Sequence, residues 1–308
     1  MSFSGNVKDE LAGHVNMARH CQIAELAAIF QFCARIEQGD NGESALVISA
    51  ENEVIVKKCF TLLRKTFNIE TSAYKNDEKS GMMSEQTAIR ITDSELVWNI
   101  FRTLKLVGDN DTFYGFGEPV NPILIKNSCC RRAYLRGTFL CVGSMSDPVK
   151  GYHLELVCTQ EDKAKQLQEI MLNFEIESKM VMRKKYYVVY LKEGKAIVEL
   201  LNVMEAHIAL MNLENLRILK EVRNTVNRRV NCEAANISKT VEAAGKQIED
   251  ILLIKEKLGF SNLPANLKQI AEVRLENPEM PLKELGEYLN PPVGKSGAFT
   301  ISKISSIS

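Results

Sequence analysis

The chain has 308 residues, 45% apolar and 25% charged, the composition of a globular protein of two or three domains. No apolar run approaches the roughly 20 residues of a membrane-spanning helix. The first residues, with Lys8, Asp9 and Glu10, lack the apolar core of a signal peptide, so a cytoplasmic protein with no membrane partner is expected. The 39 basic and 39 acidic side chains cancel, which excludes a uniformly basic nucleic-acid coat but not a local patch.

Residues 21–34 are rich in Ala, Leu and Ile, hold no Gly or Pro, and predict a helix. Residues 44–49 predict a strand. Residues 52–67 predict an amphipathic helix, with Val56, Phe60, Leu63 and Phe67 spaced by three and four. Strands follow over 69–75 and 87–92. Thr92 and Glu95 match a capping box opening a helix that carries Leu96, Ile100 and Leu104. Gly108, Gly115, Gly117, Pro119 and Pro122 then mark an irregular linker over 108–128.

The same order returns after the linker. Residues 129–142 predict a helix and 152–158 an alternating strand. Thr159 and Asp162 suggest the start of a helix over 160–173. Strands over 176–182 and 186–191 and a helix over 194–205 complete the second copy. The chain therefore reads as an internal duplication, 1–107 and 129–215. The first helix of each copy carries small residues, Ala24, Ala27, Ala28 and Ala34, then Ala133, Gly137 and Gly143. Small residues permit close backbone approach, so the two helices either pair at a pseudo-two-fold axis or are ordinary core helices.

None of the eight cysteines, Cys21, Cys33, Cys59, Cys129, Cys130, Cys141, Cys158 and Cys232, makes a CxxC pair. They read as reduced, buried small hydrophobes. His14, His20, His153 and His207 are scattered, with no HExxH, and His153 reads as structural. No metal site and no cofactor are expected. No glycine-rich phosphate loop is present either.

Charge shifts along the chain. Residues 1–128 hold 13 Lys/Arg against 17 Asp/Glu, residues 129–215 hold 12 against 11, and residues 216–308 hold 14 against 11. A polyanion would therefore meet the back of the chain. Residues 217–246 interleave Arg217, Lys220, Arg223, Arg228, Arg229, Lys239 and Lys246 with Asn224, Asn227, Asn231 and Asn236. Arg and Asn together suit phosphate and base-edge contacts. Arg223, Asn227, Arg228 and Arg229 are candidate DNA contacts; the alternative is a polar junction that clamps two domains. From 234 to 258 one helix is expected, its apolar face of Ile237, Val241, Ala244, Ile248, Ile251 and Leu258 packing in a C-terminal domain core. A helix with Leu267, Ile270, Ala271 and Leu275 follows, stopped by Pro278 and Pro281. A short helix over 282–289, the turn Asn290-Pro291-Pro292-Val293-Gly294 and a last helix from Lys295 have helix-turn-helix order, near 282–307 in an all-α domain over 216–308.

Several motifs occur together in this chain. They are Arg131-Arg132-Ala133-Tyr134-Leu135-Arg136-Gly137-Thr138-Phe139-Leu140-Cys141-Val142-Gly143-Ser144 with Ser146-Asp147-Pro148, Arg223-Asn224 with Asn227-Arg228, Asn231-Cys232-Glu233-Ala234-Ala235-Asn236, and Lys295-Ser296-Gly297. In that order, with Ser2-Phe3-Ser4, Val7-Lys8 and Glu10-Leu11 at the start, they resemble the bacterial WhiA family over essentially the whole chain. The resemblance implies an α+β fold of duplicated LAGLIDADG-type αββ units about a pseudo-two-fold axis, a degenerate homing-endonuclease domain. An all-α helix-turn-helix domain would follow. It implies a DNA-binding regulator linked to sporulation, cell division or chromosome segregation.

In the endonucleases an acid just before the last glycine of each paired helix holds divalent ions. The matching positions here are Cys33 and Val142, neither of them a hard-cation ligand, so no nuclease activity is expected. Glu25, Glu37, Asp40 and Asp147 lie nearby and read as caps, turn residues or solvated side chains. Within the helix-turn-helix, Lys295 and Ser296 would sit at the major groove, with Thr300 and Lys303 next. The family usually continues after Lys-Ser-Gly with asparagine, histidine and arginine. This chain has Ala298-Phe299-Thr300-Ile301-Ser302, so weaker or altered DNA binding is expected. The resulting expectation is a cytoplasmic, nucleoid-associated regulator of double-stranded DNA, with a protein co-regulator as a further partner. The alternative is a non-catalytic scaffold whose duplicated domain recruits a protein partner, with weak or nonspecific DNA binding, a role the acidic first half suits. Lys150, Arg183, Lys184 and Lys185 offer some positive charge on the duplicated domain.

Overall fold

The computed structural model describes residues 2–38, 44–69, 88–108, 110 and 112–294. The chain divides into two units, Met1–Leu219 and Lys220–Ser308. Helix α1 (Phe3–Gly13) opens the first unit, with the Ser2 hydroxyl accepting from the Gly5 N–H. One half then comprises α2 (Arg19–Cys33), β1 (Ala34–Gln38), β2 (Ser44–Ser49), α3 (Glu53–Phe67), β3 (Ala88–Ile91) and α4 (Ser94–Thr103). The other comprises α5 (Ser128–Val142), β4 (Gly143–Met145), β5 (Leu154–Cys158), α6 (Glu161–Leu172), β6 (Lys179–Arg183), β7 (Tyr186–Leu191) and α7 (Gly194–Met204).

Each half builds an antiparallel sheet, in the orders β1-β2-β3 and β4-β5-β7-β6. The duplication extends to register. Ala34 pairs with Ile48 as Gly143 pairs with Leu156, and Val47 pairs with Arg90 as Glu155 pairs with Tyr190. Strands β1 and β4 are not among those the sequence predicts. Both leave their helices without an intervening turn, and β1 reads Ala-Arg-Ile-Glu-Gln, with the polarity of an exposed edge. The expected strand over 69–75 lies, beyond Ile69, outside the described residues.

Two helix starts differ from expectation. Asp93, not Thr92, caps α4, its carboxylate accepting from the Glu95 and Leu96 N–H groups at 3.0 and 3.1 Å. Helix α6 begins at N-cap Gln160 with no side-chain cap, so Thr159 and Asp162 do not form the expected pair. Glu161 and Asp162 stand in its first turn, where the helix dipole favours negative charge.

Helices α2 and α5 pack against each other at the centre of the unit. Ala24, Ala27, Ala28, Ala133 and Gly137 are buried. A Cβ on Gly137 would meet the Glu25 carbonyl oxygen at 2.7 Å and Ala28 Cβ at 2.9 Å. The small residues therefore set the closeness of the helix pair. Leu26, Ile29, Phe30, Leu135, Phe139 and Leu140 fill the surrounding core, each such side chain contributing roughly 1.5–3 kcal/mol by burial.

Helix α8 (His207–Lys257) is 51 residues long, so the helix expected from 234 is the second part of a longer one. Its start is held within the first unit by Glu10, whose carboxylate accepts from the Ile208 and Ala209 N–H groups at 2.7 and 2.9 Å. Of the apolar face assigned to a C-terminal core, Ala244 and Ile251 are buried. Ile237, Val241 and Leu258 are instead 65%, 54% and 53% exposed, so the core face is shorter than its periodicity suggests. Periodicity marks an apolar stripe but not what covers it.

In the second unit, Ile251 packs with Ile270 and Ala271 of α9 (Ala265–Glu276) and with Leu285 of α10 (Leu282–Glu287) and Leu289. Arg274 is buried and donates to the Pro278 and Met280 carbonyls at 3.4 and 2.6 Å, tying α9 to the loop that follows it. Among the described residues no helix is long and apolar enough to cross a membrane.

Candidate nucleic-acid interface

Alternation along β5 turns Leu154, Leu156 and Cys158 inward, whereas β2 is buried from Ala45 to Ile48, and strand pairing sets which side chains share the opposite face of each sheet. In the first sheet that face carries Arg35, Glu37, Ser49 and Arg90. Glu37 lies between the two arginines, 2.6 Å from Arg35 and 2.9 Å from Arg90. Burial alone would raise its carboxyl, but hydrogen bonds and charge from Arg35 and Arg90 hold it below the usual carboxylate range.

The second sheet repeats the arrangement with other residues. Ser144, Glu155, Tyr190 and Lys179 line up across its four strands. Glu155 meets His153 at 3.1 Å and Arg183 at 3.0 Å. Its carboxyl is likewise lowered, burial being outweighed by the His153 hydrogen bond and by the His153 and Arg183 charges. Each face thus holds a carboxylate that neutralises part of its own basic charge. Of the four cations noted on this domain, Arg183 is tied to Glu155 and Lys185 lies over the Tyr186 ring at 5.5 Å. Lys184 sits in the β6–β7 turn at φ 55°, and Lys150 is exposed in the turn that follows Asp147.

Cys33 and Val142 close α2 and α5 where each enters its first strand. Cys33 shares a hydrogen bond with Cys141, and Lys8 lies close to both thiols. A lysine amine beside two thiol groups supplies no oxygen ligand for a hard cation. The nearby acids fall into different roles. Asp147 accepts from the Val149 N–H at 2.9 Å, a turn contact. Asp40 lies outside the described residues. Glu25 is not a cap, turn or solvated residue as expected: it is fully buried, 3.3 Å from both Lys58 and Arg136.

The four basic-junction candidates all stand on α8, and residues 221–243 are exposed throughout. Arg223 and Asn227 are one turn apart on one side, with Lys220 just before them, and Arg228 follows about 100° further round. Arg229 turns away from Asn227 by roughly 200° and pairs with Glu233 at 3.0 Å. Helical phase therefore places Arg223 and Asn227 on one side, about 40° apart, while Arg228 and Arg229 stand roughly 140° and 120° from Arg223 in opposite directions. Lys295, Ser296, Thr300 and Lys303 lie outside the described residues. Val222, Val226 and Val230 form an exposed apolar stripe that runs along the same helix beside Arg223, a feature not anticipated from the sequence.

Side chains of metal-ligand type that the sequence leaves apart do converge. His20, Cys21, Cys129 and Cys130 meet where α2 and α5 begin, against the expectation of scattered, unrelated groups. Convergence depends on two helices pairing across about a hundred residues of chain, which no local spacing reveals.

Family models match three stretches: a WhiA N-terminal LAGLIDADG-like domain over residues 19–107, a WhiA LAGLIDADG-like domain over 131–223, and a WhiA C-terminal HTH domain over 226–307. A probable cell division protein WhiA of Lachnoclostridium phytofermentans is 49% identical over 311 residues, covering 100% of this chain and 98% of its own. One of Lachnospira eligens is 46% identical over 300 residues, covering 96% and 93%. The crystal structure of full-length DUF199/WhiA from Thermatoga maritima superposes with a TM-score of 0.61 at 26% identity, covering 98% of this chain and 96% of that one.

Proposed function

The chain belongs to the WhiA family, and on that premise we propose that it is a sequence-specific DNA-binding regulator without nuclease activity. Its duplicated LAGLIDADG-like domain, over 1–215, is joined to a helical reader over 216–308. Its relatives are named probable cell division proteins, and cell division, chromosome segregation or sporulation is the process it serves. Nucleoid association follows from the same reading.

The observation that carries the proposal is the set of exposed basic and amide side chains of α8, Arg223 and Asn227 on one side and Arg228 further round, at the start of the stretch matched by the helix-turn-helix family. Exposed arginines neutralise phosphates and fix register, while Lys295, Ser296, Thr300 and Lys303 read base edges. The outer sheet faces contribute less, because Glu37 and Glu155 offset their cations. Absence of cleavage rests on chemistry: Cys33 and Val142 provide no paired carboxylates to hold the ions that phosphodiester hydrolysis needs.

A second reading is favoured by the Val222, Val226 and Val230 stripe. Each of these side chains is more than half exposed on a helix that also bears charge, a pattern suited to a protein partner. In that reading the protein is a scaffold whose DNA contacts are weak.

Fluorescence anisotropy with labelled fragments of the source genome, at low and physiological salt and with excess nonspecific competitor, separates the two. Retention of a subset of fragments against competitor supports the regulator. Binding that vanishes with salt supports the scaffold. Magnesium-dependent nicking of supercoiled plasmid, lost on substitution within the duplicated domain, would overturn the non-catalytic reading.

A further inference from the structure

At the end of the helix pair remote from Cys33 and Val142, four ligand-type side chains meet. In α2, Ala18 is the N-cap and Arg19 the first helical residue, so His20 and Cys21 are the second and third. In α5, Asn127 is the N-cap and Ser128 the first residue, so Cys129 and Cys130 hold the same two positions. The pseudo-two-fold relation thus brings equivalent pairs face to face. One ligand atom from each residue lies within 4.8 Å of the other three. His20 Nδ1 stands 3.2 Å from Cys130 Sγ, 3.3 Å from Cys21 Sγ and 3.9 Å from Cys129 Sγ.

These separations match one coordination chemistry. Tetrahedral zinc with bonds of about 2.3 Å to sulfur and about 2.0 Å to nitrogen places ligand atoms roughly 3.5–3.8 Å apart. Three thiolates and an imidazole are soft and borderline donors, which select zinc over magnesium or calcium. The surroundings suit the net negative charge of such a centre. Both helices point their positive ends at it, and neither start is capped by a side chain. Without an ion, burial and the neighbouring thiols push Cys21 up to about 12 and raise Cys130, so an ion must displace their protons. Cys21 and Cys130 are buried with Ala24 and Ala133, so half of the centre is held in packed structure while Cys129 and His20 face the solvent side.

We propose that His20, Cys21, Cys129 and Cys130 form a structural zinc site that staples the two halves of the duplicated domain. All four positions of the tetrahedron are filled by protein, so the ion has no place for water or substrate and acts as a cross-link. Binding replaces one proton on each of three thiols, and the ion, three thiolates and neutral imidazole together carry one negative charge. The site stands about 18 Å along the helix pair from Cys33, twelve residues on from Cys21.

The test uses the full-length chain, purified without a histidine tag, under reducing conditions and with zinc in the growth medium. Elemental analysis should find one zinc per chain. Cobalt(II) added to the metal-stripped protein should give the visible bands of a tetrahedral ion and the near-ultraviolet band of thiolate-to-cobalt charge transfer. Zinc binding should release about three protons per ion at neutral pH. Cys130→Ser should lose both metal and spectrum, and Cys232→Ser, at an exposed cysteine of α8, should keep them. His20→Asn, at an exposed position that tolerates the change, should retain a weaker and altered cobalt spectrum. Folded wild-type protein with neither zinc nor the cobalt spectrum would overturn the proposal. So would zinc retained equally by Cys130→Ser, or a disulfide among Cys21, Cys129 and Cys130 in protein prepared without oxygen.

Discussion

Glu25 Oε1 of α2 and Arg136 Nε of α5 stand 3.3 Å apart with both side chains fully enclosed, an ion pair that crosses from one copy of the duplication to the other. Lys58 approaches the same carboxylate oxygen at 3.3 Å, and Glu205 meets Arg136 at 2.5 Å. Glu25 Oε2 and Arg136 Nη2 find no hydrogen-bond partner among the described residues. Removing Arg136 leaves the enclosed Glu25 carboxylate with Lys58 as its remaining charged partner and takes Arg136 away from Glu205. Arg136→Met should therefore destabilise the protein by about 3–5 kcal/mol in urea unfolding. Adding Glu25→Gln together with Lys58→Met should recover part of that loss, and an unchanged loss would show that packing rather than charge is at stake.

The helix crossing makes a sharp prediction at two glycines. Alanine at Gly137 would place its Cβ 2.7 Å from the Glu25 carbonyl oxygen, and the helices would have to separate. Gly137→Ala should cost about 1–3 kcal/mol despite alanine's better helix propensity. At Gly245 of α8 an added Cβ meets nothing within 4 Å. Gly245→Ala should stabilise by roughly 0.5–1 kcal/mol. Thermal unfolding of the two variants should shift in opposite directions.

Glu10 serves as a remote cap for α8, its two oxygens taking the Ile208 and Ala209 N–H groups. Glu10→Ala leaves those donors to water and removes negative charge from the helix start. A loss of about 1 kcal/mol is expected, with faster amide exchange at Ile208 and Ala209.

Acid should act through Glu37. Its folded-state carboxyl lies below the ordinary value because Arg35 and Arg90 outweigh the effect of burial. Its contribution is present above the unfolded value of about 4.3 and is lost as pH falls through the depressed folded value. Wild type should exceed Glu37→Gln in stability at neutral pH. That margin should shrink as pH falls below about 5. A margin independent of pH would show that Glu37 acts through packing.

Salt dependence of DNA binding separates the arginines of α8. Arg223→Ala and Arg228→Ala should each weaken binding and reduce the logarithmic salt slope by about 1. Arg229→Ala should have a smaller effect, because Glu233 already pairs with that guanidinium at 3.0 Å. Equal slopes for all three would place the DNA contact elsewhere.

Much of the fold was legible because its signals are local. The Ala-rich stretch at 21–34 and the three-four spacing of Val56, Phe60 and Leu63 mark helices whose apolar faces could be read directly. The repeated element order exposed the duplication. Strands β1 and β4 were not legible, since a short edge strand leaving a helix carries no turn residue and little apolar alternation. The α4 cap was displaced by one residue because Thr92 and Asp93 are both competent, and only the backbone geometry selects between them.

The candidate DNA surface was legible as composition and less so as geometry. Arg223, Asn227, Arg228 and Arg229 stand close in sequence, yet helical phase leaves Arg223 and Asn227 alone on one side, and Glu233 pairs with Arg229. By itself the sequence determined the order of the long helices, the duplication and the small residues of the central helix pair. Each of these depends on residue type at short range. Tertiary structure alone decided that Glu25 is a buried ion-pair member, that Ile237 and Val241 are uncovered, and that His20-Cys21 meets Cys129-Cys130. Those outcomes depend on which surfaces of distant segments come together, and the close α2–α5 crossing that Gly137 permits is the contact that brings the four ligands into one place.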